Sequence, residues 1–585
     1  MIGWLRRIPP MYPGEAVQEA GRLHLEGAQK RAIETGRTRL IVTAAMFTLA
    51  FTVIAGRMVD VTLIKGGVAT ASHRPSEAGP AFDRADVTDR NGVLLATSLP
   101  SVSLYAHPHE ILEKAEAAQK IAQVLPDLGV NEVRAKLQGD RAFAYLRRNL
   151  TPRQQYDINA LGIPGLYFEK SEKRIYPQGE LAAHVVGLTD LDNKGIAGIE
   201  KSFEKELKAR HEPLRLSLDV RVQTILHAEL ARTMGEFHAA GATGMVMDVN
   251  TGELLGMVSL PDFNPNNLAT TNNDAMFNRA TLGVYEMGST FKLFNTAAAL
   301  DTGVANINSS FDASHPIKVA RFEITDYHAE NRWLTVSEIL VHSSNIGSAR
   351  MALDLGQERQ KTYLGRFGLL RPAAVELPEI STPLTPNPWR DISVMTVSYG
   401  HGMAVSPLHM MAGVASLVNG GVFHPATVLK REDGDPAPGQ RVIKEQTSRD
   451  MRRLMRMVVT EGTGEKADVP GYEVAGKTGT AEKSASGGYH HKSLLSSFIA
   501  TFPASNPRYV VLAMIDEPHG NKESFGFATA GWTAAPAVGR IVAEIGPLLG
   551  MQPSTDAADG GKQRMAQTAS LKVKDAKRVA VAEAE

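Results

Sequence analysis

The chain has 585 residues, of which 43% are hydrophobic and 22% charged, a composition that supports folded cores over most of its length. Lysine plus arginine and aspartate plus glutamate both number 63, so the net charge of zero argues against a nucleic-acid-binding protein, which needs a basic face. The absence of cysteine excludes thiol catalysis, disulfide bonds and cysteine-ligated metal sites.

The first predicted element is a single transmembrane helix at residues 40–60. Residues 40–56 read LIVTAAMFTLAFTVIAG, 17 residues without a charge between Arg39 and Arg57. About 17–25 apolar residues span a bilayer core. Seven basic and four acidic side chains precede the run, which places residues 1–39 in the cytoplasm and the rest of the chain outside. A buried core helix could be equally apolar, but Thr43, Thr48 and Thr52 do not form a polar face, which favours a membrane-spanning helix. A cleaved signal peptide would have a shorter leader.

A linker and a first folded domain follow the predicted helix. Residues 61–81 include a small, polar stretch with glycine and proline, which is typical of a linker. From residue 82 to 234, short apolar runs alternate with charged helical stretches such as 111–125 and 199–207. We predict an α+β domain here, with few polar clusters suited to chemistry.

Residues 235–550 carry the pattern of one larger α/β domain. Two apolar runs flank turn residues at 250–252, which predicts a β-hairpin. Helical patterns fill the middle, and three more strand candidates lie between residues 473 and 515. Strands at both ends with helices between them predict a sheet that distant parts of the chain complete together. Residues 551–585 contain no aromatic residue and are predicted to be a disordered tail.

The candidate nucleophile lies in residues 285–292, which read YEMGSTFK. Good helix formers follow and Gly303 supplies a stop, so Ser289 falls in a first helical turn with Lys292 three residues later on the same face. A deprotonated lysine amine can take the proton of a serine hydroxyl, and free N–H groups at a helix N-terminus can stabilise negative charge. Residues 202–205 have the same serine–lysine spacing, but they lie in a charged stretch predicted to be a solvated helix face.

Two further segments add polar groups to this candidate site. Thr335 and Glu338 form a capping box that opens a helix ending near residues 342–345, His-Ser-Ser-Asn. Residues 475–480 read Ala-Gly-Lys-Thr-Gly-Thr, and on a strand the lysine and the second glycine share a face, where a substrate backbone could approach the glycine closely. Serine with lysine, then Ser-x-Asn, then Lys-Thr-Gly, in that order, is the set found in penicillin-binding proteins and class A β-lactamases.

The chain resembles a class B penicillin-binding protein, and within that group the septal peptidoglycan D,D-transpeptidase of the FtsI type. The resembling segments are residues 84–92, 174–177, 195–200, 278–280, 285–292, 398–402 and 406–408. Ala85 and Met287 stand where glycine and proline are common in the family. The resemblance implies an α/β (α+β) transpeptidase domain of the penicillin-binding/serine β-lactamase-like kind over residues 235–550. An α+β pedestal domain of the dimerisation type over residues 82–234 and a single transmembrane helix would precede it.

The resemblance also implies a reaction and a set of site residues. A serine attacks the carbonyl between the last two D-alanines of a lipid-linked or nascent stem peptide. D-alanine leaves, and the acyl-enzyme passes the peptide to an amino group on a neighbouring strand. The implied catalytic residues are Ser289, Lys292, Ser343, Asn345 and Lys477, and the implied substrate-binding residues are Thr478, Gly479 and Thr480. No cofactor or metal is implied.

Each implied catalytic residue has its own role. Lys292 is the base for acylation, Ser343 relays a proton, and Asn345 orients Lys292 and the substrate amide. Lys477, with the two threonines of its motif, receives the terminal carboxylate, while the backbone N–H groups of the nucleophile and of Thr480 form an oxyanion hole. Two lysines close together disfavour double protonation, so we predict that Lys292 is the neutral one.

Partners and a location follow from the same resemblance. The substrates are peptidoglycan stem peptides and their lipid-linked precursor, and β-lactams are covalent inhibitors. A septal polytopic glycosyltransferase and other bitopic division proteins are the implied protein partners, and no nucleic acid is expected. The chain would cross the bacterial inner membrane once at the division site, with its N-terminus in the cytoplasm and its catalytic domain in the periplasm.

Three alternatives compete with this interpretation. Residues 471–478 match the P-loop pattern of ATP-binding proteins, but residues 462–470 are polar and another glycine follows, where a P-loop needs an apolar strand before and a helix after. His342 and the pair at 490–491 could form a serine–histidine couple or a metal site, but no H-E-x-x-H spacing occurs, and surface or hydrogen-bonded histidine is favoured. The third alternative is a catalytically silent scaffold of the same fold, against which the intact site residues argue.

Overall fold

The computed structural model of the chain describes residues 28–59, 84–138, 141–210, 212–269, 271–319, 322–432, 434–485 and 488–554. The chain divides into two compact units, Met1–Ala81 and Phe82–Glu585. The predicted linker at residues 61–81 lies outside the described residues. So do residues 1–27 of the predicted cytoplasmic segment and residues 555–585 of the predicted tail.

In the first unit, one helix, α1 (Ala28–Val59), contains almost all of the predicted membrane segment. The hydroxyl groups of Thr43, Thr48 and Thr52 donate to backbone carbonyls four residues earlier, at 2.8, 2.8 and 2.7 Å. Among the described residues, every helix falls short of the combination of length and apolar character that crossing a bilayer requires. The transmembrane helix at residues 40–60 therefore stays a prediction.

The second unit begins with an α+β domain, as the sequence predicts. Its elements are β1 (Val87–Thr88), β2 (Leu94–Ala106), α2 (Lys114–Val124), α3 (Val130–Leu137), β3 (Ala144–Leu150), α4 (Pro152–Ala160), β4 (Leu166–Ile175), α5 (Ala183–Val186), β5 (Leu188–Thr189), β6 (Gly195–Ala197), α6 (Gly198–Ser202), α7 (Glu204–Ala209) and β7 (Leu214–Arg215). The long strand β2 pairs antiparallel with β4 along most of its length and with β1 and β3 near its two ends, while β1 pairs in parallel with β7. One face of this sheet packs on α2, α3 and α4 through a core that includes Leu104, Ile121 and Leu146.

A buried ion cluster ties distant parts of this domain together. Arg84 Nε and Arg174 Nε donate to the two carboxylate oxygens of Glu200 at 2.6 and 2.7 Å, and Arg84 also pairs with Glu204 at 2.6 Å. Glu200 and both arginines are buried, so these charges have one another rather than water as partners. The cluster joins three of the segments that carry the family resemblance, and no sequence pattern predicts it.

The larger domain surrounds a five-stranded antiparallel sheet in the order β16-β17-β18-β8-β9. Its elements are α8 (Val220–Glu236), β8 (Gly241–Asp248), β9 (Leu254–Leu260), α9 (Asn273–Met276), α10 (Lys292–Thr302), β10 (Ser310–Asp312), β11 (Ile317–Val319), β12 (Phe322–Ile324), β13 (Trp333–Thr335), α11 (Val336–Val341), α12 (Asn345–Leu355), α13 (Gln357–Arg366), α14 (Asp391–Val397), α15 (Pro407–Val418), β14 (Val422–Phe423), β15 (Gln440–Arg441), α16 (Glu445–Glu461), β16 (Ala475–Ala485), β17 (Gly488–Phe502), β18 (Tyr509–Asp516) and α17 (Ala534–Leu548). The first strands of the domain, β8 and β9, form the predicted hairpin. Pairing of Val246 in β8 with Val511 in β18 confirms that the two ends of the domain complete the sheet together.

Helices cover both faces of this sheet. Successive residues of a strand point to opposite faces. Val246 accordingly packs with α8 and α17, whereas Met245 and Met247 belong to the core shared with α10, α15 and α16. The helix α10 is therefore buried beside the sheet, and it ends at Gly303, whose φ of +75° confirms the predicted helix stop.

Candidate active site

Ser289 lies on a single turn of 3₁₀-helix, Gly288–Phe291, that leads directly into α10 at Lys292. The predicted first helical turn is of the 3₁₀ type, because the backbone N–H of Lys292 bonds to the carbonyl of Ser289, three residues earlier. In a 3₁₀ turn, residues three apart lie above one another, and Ser289 Oγ is 2.7 Å from Lys292 Nζ. The tight turn thus places the hydroxyl and the amine in hydrogen-bond contact.

The amine of Lys292 is buried, with 0% of the residue exposed, and oxygen atoms surround it. Nζ lies 2.7 Å from the carbonyl oxygen of Ser343, 2.8 Å from Oδ1 of Asn345 and 3.2 Å from Oγ of Ser343. Carbonyl and amide oxygens can only accept, so they take two N–H groups of the lysine. A neutral amine then has its lone pair free to accept from the Ser289 hydroxyl. The arrangement suits a base that removes the proton of Ser289.

Burial lowers the pKa values of both lysines in the site. For Lys292, burial is the largest cause of a pKa well below the ordinary value, the charge of Lys477 lowers it further, and Asp326 opposes both. Burial also lowers the pKa of Lys477 to about 7. Lys292 remains our candidate for the neutral amine, with desolvation rather than repulsion between the lysines as the main cause.

The turn between α11 and α12 supplies a second set of groups. Thr335 and Glu338 form the predicted capping box, in which the Glu338 N–H donates to Thr335 Oγ1 at 3.2 Å and the Thr335 N–H donates to Glu338 Oε2 at 2.8 Å. Ser343 follows the end of α11 with a φ of +57°, a left-handed conformation that is strained for a residue with a side chain. This conformation directs both the carbonyl and the hydroxyl oxygen of Ser343 to Lys292.

Asp326, which no sequence motif marks, holds this turn in place. Its Oδ1 accepts from the backbone N–H groups of Asn345 and Ile346 at 2.5 and 3.0 Å, and its Oδ2 accepts from the Ser344 hydroxyl at 2.6 Å. Asp326 therefore caps the N-terminus of α12 at the residue whose side chain contacts Lys292. Sequence analysis does not identify Asp326, because it lies 19 residues before Asn345 and contacts this turn only in the folded chain.

The third segment of the site lies in the edge strand β16. Lys477 is fully buried and donates from Nζ to Oγ of Ser343 at 2.9 Å, so the Ser343 hydroxyl contacts both lysines. Thr478 is also buried, with its Oγ1 3.4 Å from the Lys477 amine. Thr480 is partly exposed, and its Oγ1 accepts from the backbone N–H of Ala530 at 3.1 Å. The predicted carboxylate-binding residues thus follow one another along the strand that borders the nucleophile turn.

Gly479 lies where the nucleophile turn packs against β16. A Cβ atom at this position would lie 2.6 Å from the Met287 carbonyl oxygen and 2.6 Å from Ser497 Oγ. A Cβ atom on Gly288 would likewise lie 2.7 Å from the Thr480 carbonyl oxygen. The two glycines let the 3₁₀ turn pack directly against β16. The nucleophile turn thus fills the space that a side chain at position 479 would take, and the approach of a substrate backbone to Gly479 stays a prediction.

The structure brings the five predicted catalytic residues into one hydrogen-bonded cluster. The two lysines are buried, whereas Ser289, Ser343 and Asn345 are partly exposed. A ligand that enters from solvent therefore meets the hydroxyl and carboxamide groups first, with the amines behind them. By contrast, Ser202 and Lys205 of the second serine–lysine match are both exposed, as expected of a solvated face.

The same geometry bears on the alternatives left by the sequence. Lys477 and Thr478 lie inside β16 and pair with β17, where a P-loop requires the start of a helix, so that alternative is wrong. His342 is exposed, with Nδ1 3.4 Å from Glu330 Oε1. Residues 490–491 lie in β17, and their side chains are outside the described part of the structure. In the parts of the chain that the structure describes, no three histidine, aspartate or glutamate side chains converge as a metal site.

This fold, with a serine hydroxyl in contact with a buried lysine amine, defines the class of serine enzymes that form an acyl intermediate. The family described as penicillin binding protein transpeptidase domain matches residues 242–539. The family described as penicillin-binding protein dimerisation domain matches residues 81–229. The chain belongs to the penicillin-binding protein transpeptidase family.

Named relatives match most of the chain. The probable peptidoglycan D,D-transpeptidase FtsI of Caulobacter vibrioides is 42% identical over 546 residues, which cover 90% of this chain and 91% of the relative. The peptidoglycan D,D-transpeptidase FtsI of Escherichia coli is 31% identical over 506 residues, which cover 80% of this chain and 84% of the relative. Penicillin binding protein 3 of Mycobacterium tuberculosis, solved in complex with aztreonam, has a TM-score of 0.64 at 24% identity, covers 80% of this chain and 97% of its own, and shares the fold.

Proposed function

We propose that this chain is a serine peptidoglycan D,D-transpeptidase that cross-links stem peptides at the division septum and is inhibited by β-lactams. The observation that carries the proposal is the 2.7 Å contact between Ser289 Oγ and Lys292 Nζ inside a cluster of buried amines. The relatives named peptidoglycan D,D-transpeptidase supply the substrate class.

In acylation, Lys292 accepts the proton of the Ser289 hydroxyl while Oγ bonds to the carbonyl carbon between the last two D-alanines. Backbone N–H groups of Ser289 and Thr480 stabilise the oxyanion that forms, on the turn and the strand that pack against each other. The peptide C–N bond then breaks, and the departing D-alanine nitrogen takes the proton from Lys292. Ser343 provides the path for that proton, because its Oγ lies 3.2 Å from Lys292 Nζ and 2.9 Å from Lys477 Nζ.

In the second half-reaction, an amine of a neighbouring stem peptide attacks the ester carbonyl. Lys292 is neutral again after protonating D-alanine, and it accepts a proton from the attacking amine. The ester C–O bond breaks, and Ser289 Oγ recovers its proton from Lys292. One peptide bond is lost and one is formed, so the reaction needs neither a cofactor nor an energy source at the site.

Substrate orientation is the role of the groups around the two reacting atoms. Lys477, Thr478 and Thr480 receive the terminal carboxylate, whose negative charge favours the protonated form of the lysine. Asn345 holds Lys292 through Oδ1 at 2.8 Å, and its Nδ2 donates to the Thr325 carbonyl at 3.0 Å. A β-lactam presents a carboxylate and a reactive amide in a similar relation, so it acylates the same serine.

The septal role and the membrane anchor belong to the same proposal. The FtsI names of relatives support a role at the division septum. A charge-free run of 17 residues between Arg39 and Arg57, with a basic excess before it, supports one membrane crossing at residues 40–60 with the catalytic domain in the periplasm. We propose a polytopic septal glycosyltransferase and other bitopic division proteins as partners of this helix and of residues 82–234.

Labelling of membranes with a fluorescent penicillin tests the enzymatic part of the proposal. The wild type should be labelled covalently, Ser289→Ala should not, and Ser202→Ala, the matched serine of the exposed pair, should label like the wild type. Equal labelling of Ser289→Ala would assign the nucleophile elsewhere, and an unlabelled wild type would indicate a silent scaffold. Cells depleted of the chain should grow as filaments without septa, whereas rounded cells would point to a role in elongation.

A further inference from the structure

The sheet of the α+β domain at residues 82–234, which contains β2, β3 and β4, carries a row of aromatic side chains that the transpeptidase site does not use. Tyr105 on β2 lies directly opposite Tyr145 on β3 and Tyr167 on β4. The ring centroids of Tyr105 and Tyr167 are 5.6 Å apart with planes 26° apart, and those of Tyr105 and Tyr145 are 6.4 Å apart. Phe143 and His107 extend the group, with centroids 4.9 and 5.5 Å from that of Tyr105. We call these five residues the aromatic row.

The aromatic row lies on the open face of the sheet. Leu104 and Leu146, the neighbours of two of the tyrosines along their strands, point to the other face and into the pedestal core. Phe143 and Tyr167 are 43% and 40% exposed, and the other three rings are partly exposed. Cross-strand aromatic pairs stabilise a sheet, but a contiguous set of five rings that all reach solvent at least in part is a feature typical of a binding surface.

Charged groups hold these rings in place. The Tyr145 hydroxyl donates to Glu169 Oε2 and the Tyr167 hydroxyl donates to Glu110 Oε2, both at 2.5 Å. The guanidinium of Arg148 lies over the Tyr145 ring, 4.4 Å from its centroid. The surface therefore offers flat apolar ring faces bordered by carboxylates and by a guanidinium group that also pairs with Asp192.

We propose that the aromatic row binds the glycan strand of peptidoglycan, a chain of amino sugars, independently of the transpeptidase site. This proposal rests on the proposed function, because an enzyme that cross-links stem peptides works next to the glycan strands that carry them. The C–H face of a pyranose ring packs on an aromatic ring, and the hydroxyl groups at its edge donate to carboxylates. A protein partner with a dry apolar interface would instead bury Glu110 and Glu169 at the desolvation cost of two charges. The carboxylates therefore favour a ligand rich in hydroxyl groups.

Cosedimentation of the full-length, detergent-solubilised chain with purified peptidoglycan sacculi tests this inference. Benzylpenicillin first blocks Ser289, so that retention through the catalytic site does not contribute. The triple variant Tyr105→Thr, Tyr145→Thr, Tyr167→Thr should bind sacculi about tenfold more weakly, because threonine suits a strand but removes the ring. Tyr156→Ala is the matched control, since this tyrosine is 73% exposed on α4 of the same domain and should leave binding unchanged.

Soluble competitors identify which part of the polymer is bound. Glycan strands freed of their peptides by an amidase should release the wild-type chain from sacculi, and free stem peptides should not. If the triple variant does not fold, the single variant Tyr167→Thr gives the same test with about threefold weaker binding. Unchanged binding of a folded variant, or release by stem peptides alone, would overturn the proposal. Absence of penicillin labelling in the wild type would instead contradict the proposed function, so the two failures are distinguishable.

Discussion

At the scale of single residues, the site works by keeping two amines out of water. Burial disfavours the charged form of a lysine, and it lowers the pKa of Lys292 well below its ordinary value and that of Lys477 to about 7. Ser343 connects the two amines through one hydroxyl, in a strained backbone conformation that the surrounding contacts maintain. In the proposed mechanism, this small number of buried contacts decides which amine is the base and which carries charge.

The pH dependence of acylation follows from these shifts. Above pH of about 7, Lys477 loses its proton and with it the charge that attracts the carboxylate of a β-lactam. The second-order rate constant of acylation by benzylpenicillin should therefore fall as the pH rises from about 7 to about 9, because the protonated fraction of Lys477 falls over this range. Lys477→Arg stays charged and should lose the alkaline decline. A wild-type profile that is flat over this range would show that Lys477 does not titrate there.

Asp326 should act as a positioning residue for the same reaction. Asp326→Ala removes the three hydrogen bonds that hold Ser344, Asn345 and Ile346, so we expect acylation to slow about tenfold to a hundredfold, with a small loss of thermal stability. Asp326→Asn keeps an oxygen for the two backbone N–H groups and should recover part of the rate. Asp354→Ala, at an exposed position of α12, is the control. Wild-type acylation kinetics in Asp326→Ala would rule out this role.

At the scale of elements, the site is the junction of a 3₁₀ turn with an edge strand. The turn that carries Ser289 packs on β16 without side chains between them, at Gly288 and Gly479. The strand is held by β17 along ten register pairs, so the turn rests on a rigid surface. Sequence analysis predicts both segments but not their direct contact. A glycine beside a lysine on a strand can either allow close packing of another segment or leave room for a ligand, and the sequence does not distinguish the two.

Gly479→Ala tests that contact. The added methyl group would lie 2.6 Å from the Met287 carbonyl oxygen, so the turn must shift, and we expect a destabilisation of about 1–3 kcal/mol with a fall in acylation rate of about a hundredfold. Gly235→Ala is the matched control on α8, where a Cβ meets nothing within 4 Å and where alanine should stabilise by about 0.5–1 kcal/mol. Thermal unfolding and penicillin labelling of both variants make the comparison. Normal labelling of Gly479→Ala would mean that the turn does not need this close packing.

At the scale of the whole molecule, sequence patterns predict the order of the domains and the composition of the site. They do so because three short motifs supply the residues that cluster around Ser289 and because strands at both ends of a segment imply a shared sheet. They do not predict Asp326 or the cluster of Arg84, Arg174 and Glu200, since these residues contact their partners only when segments 18 to 116 residues apart come together. Nor do they predict the burial of the two lysine amines, which depends on how the surrounding helices pack.

The buried cluster in the pedestal should govern stability rather than chemistry. Glu200→Gln leaves two buried guanidinium groups with less compensating charge, and we expect the loss of about 3–5 kcal/mol of unfolding free energy. Acylation of the folded fraction at low temperature should stay close to wild type. Glu206→Gln, an exposed acid on α7, should leave the unfolding midpoint unchanged. Equal unfolding midpoints for Glu200→Gln and the wild type would contradict a structural role.

The activation of Ser289 by a neutral Lys292 is the central claim, and the acylation rate of Lys292→Ala measures it most directly. Quenched time courses with benzylpenicillin, read by mass spectrometry of the intact chain and of the peptide containing Ser289, give the rate and the site together. We predict an adduct on Ser289 in the wild type and a rate at least about a thousandfold lower in Lys292→Ala, because the hydroxyl loses its base. Acylation of Lys292→Ala at the wild-type rate would contradict the account.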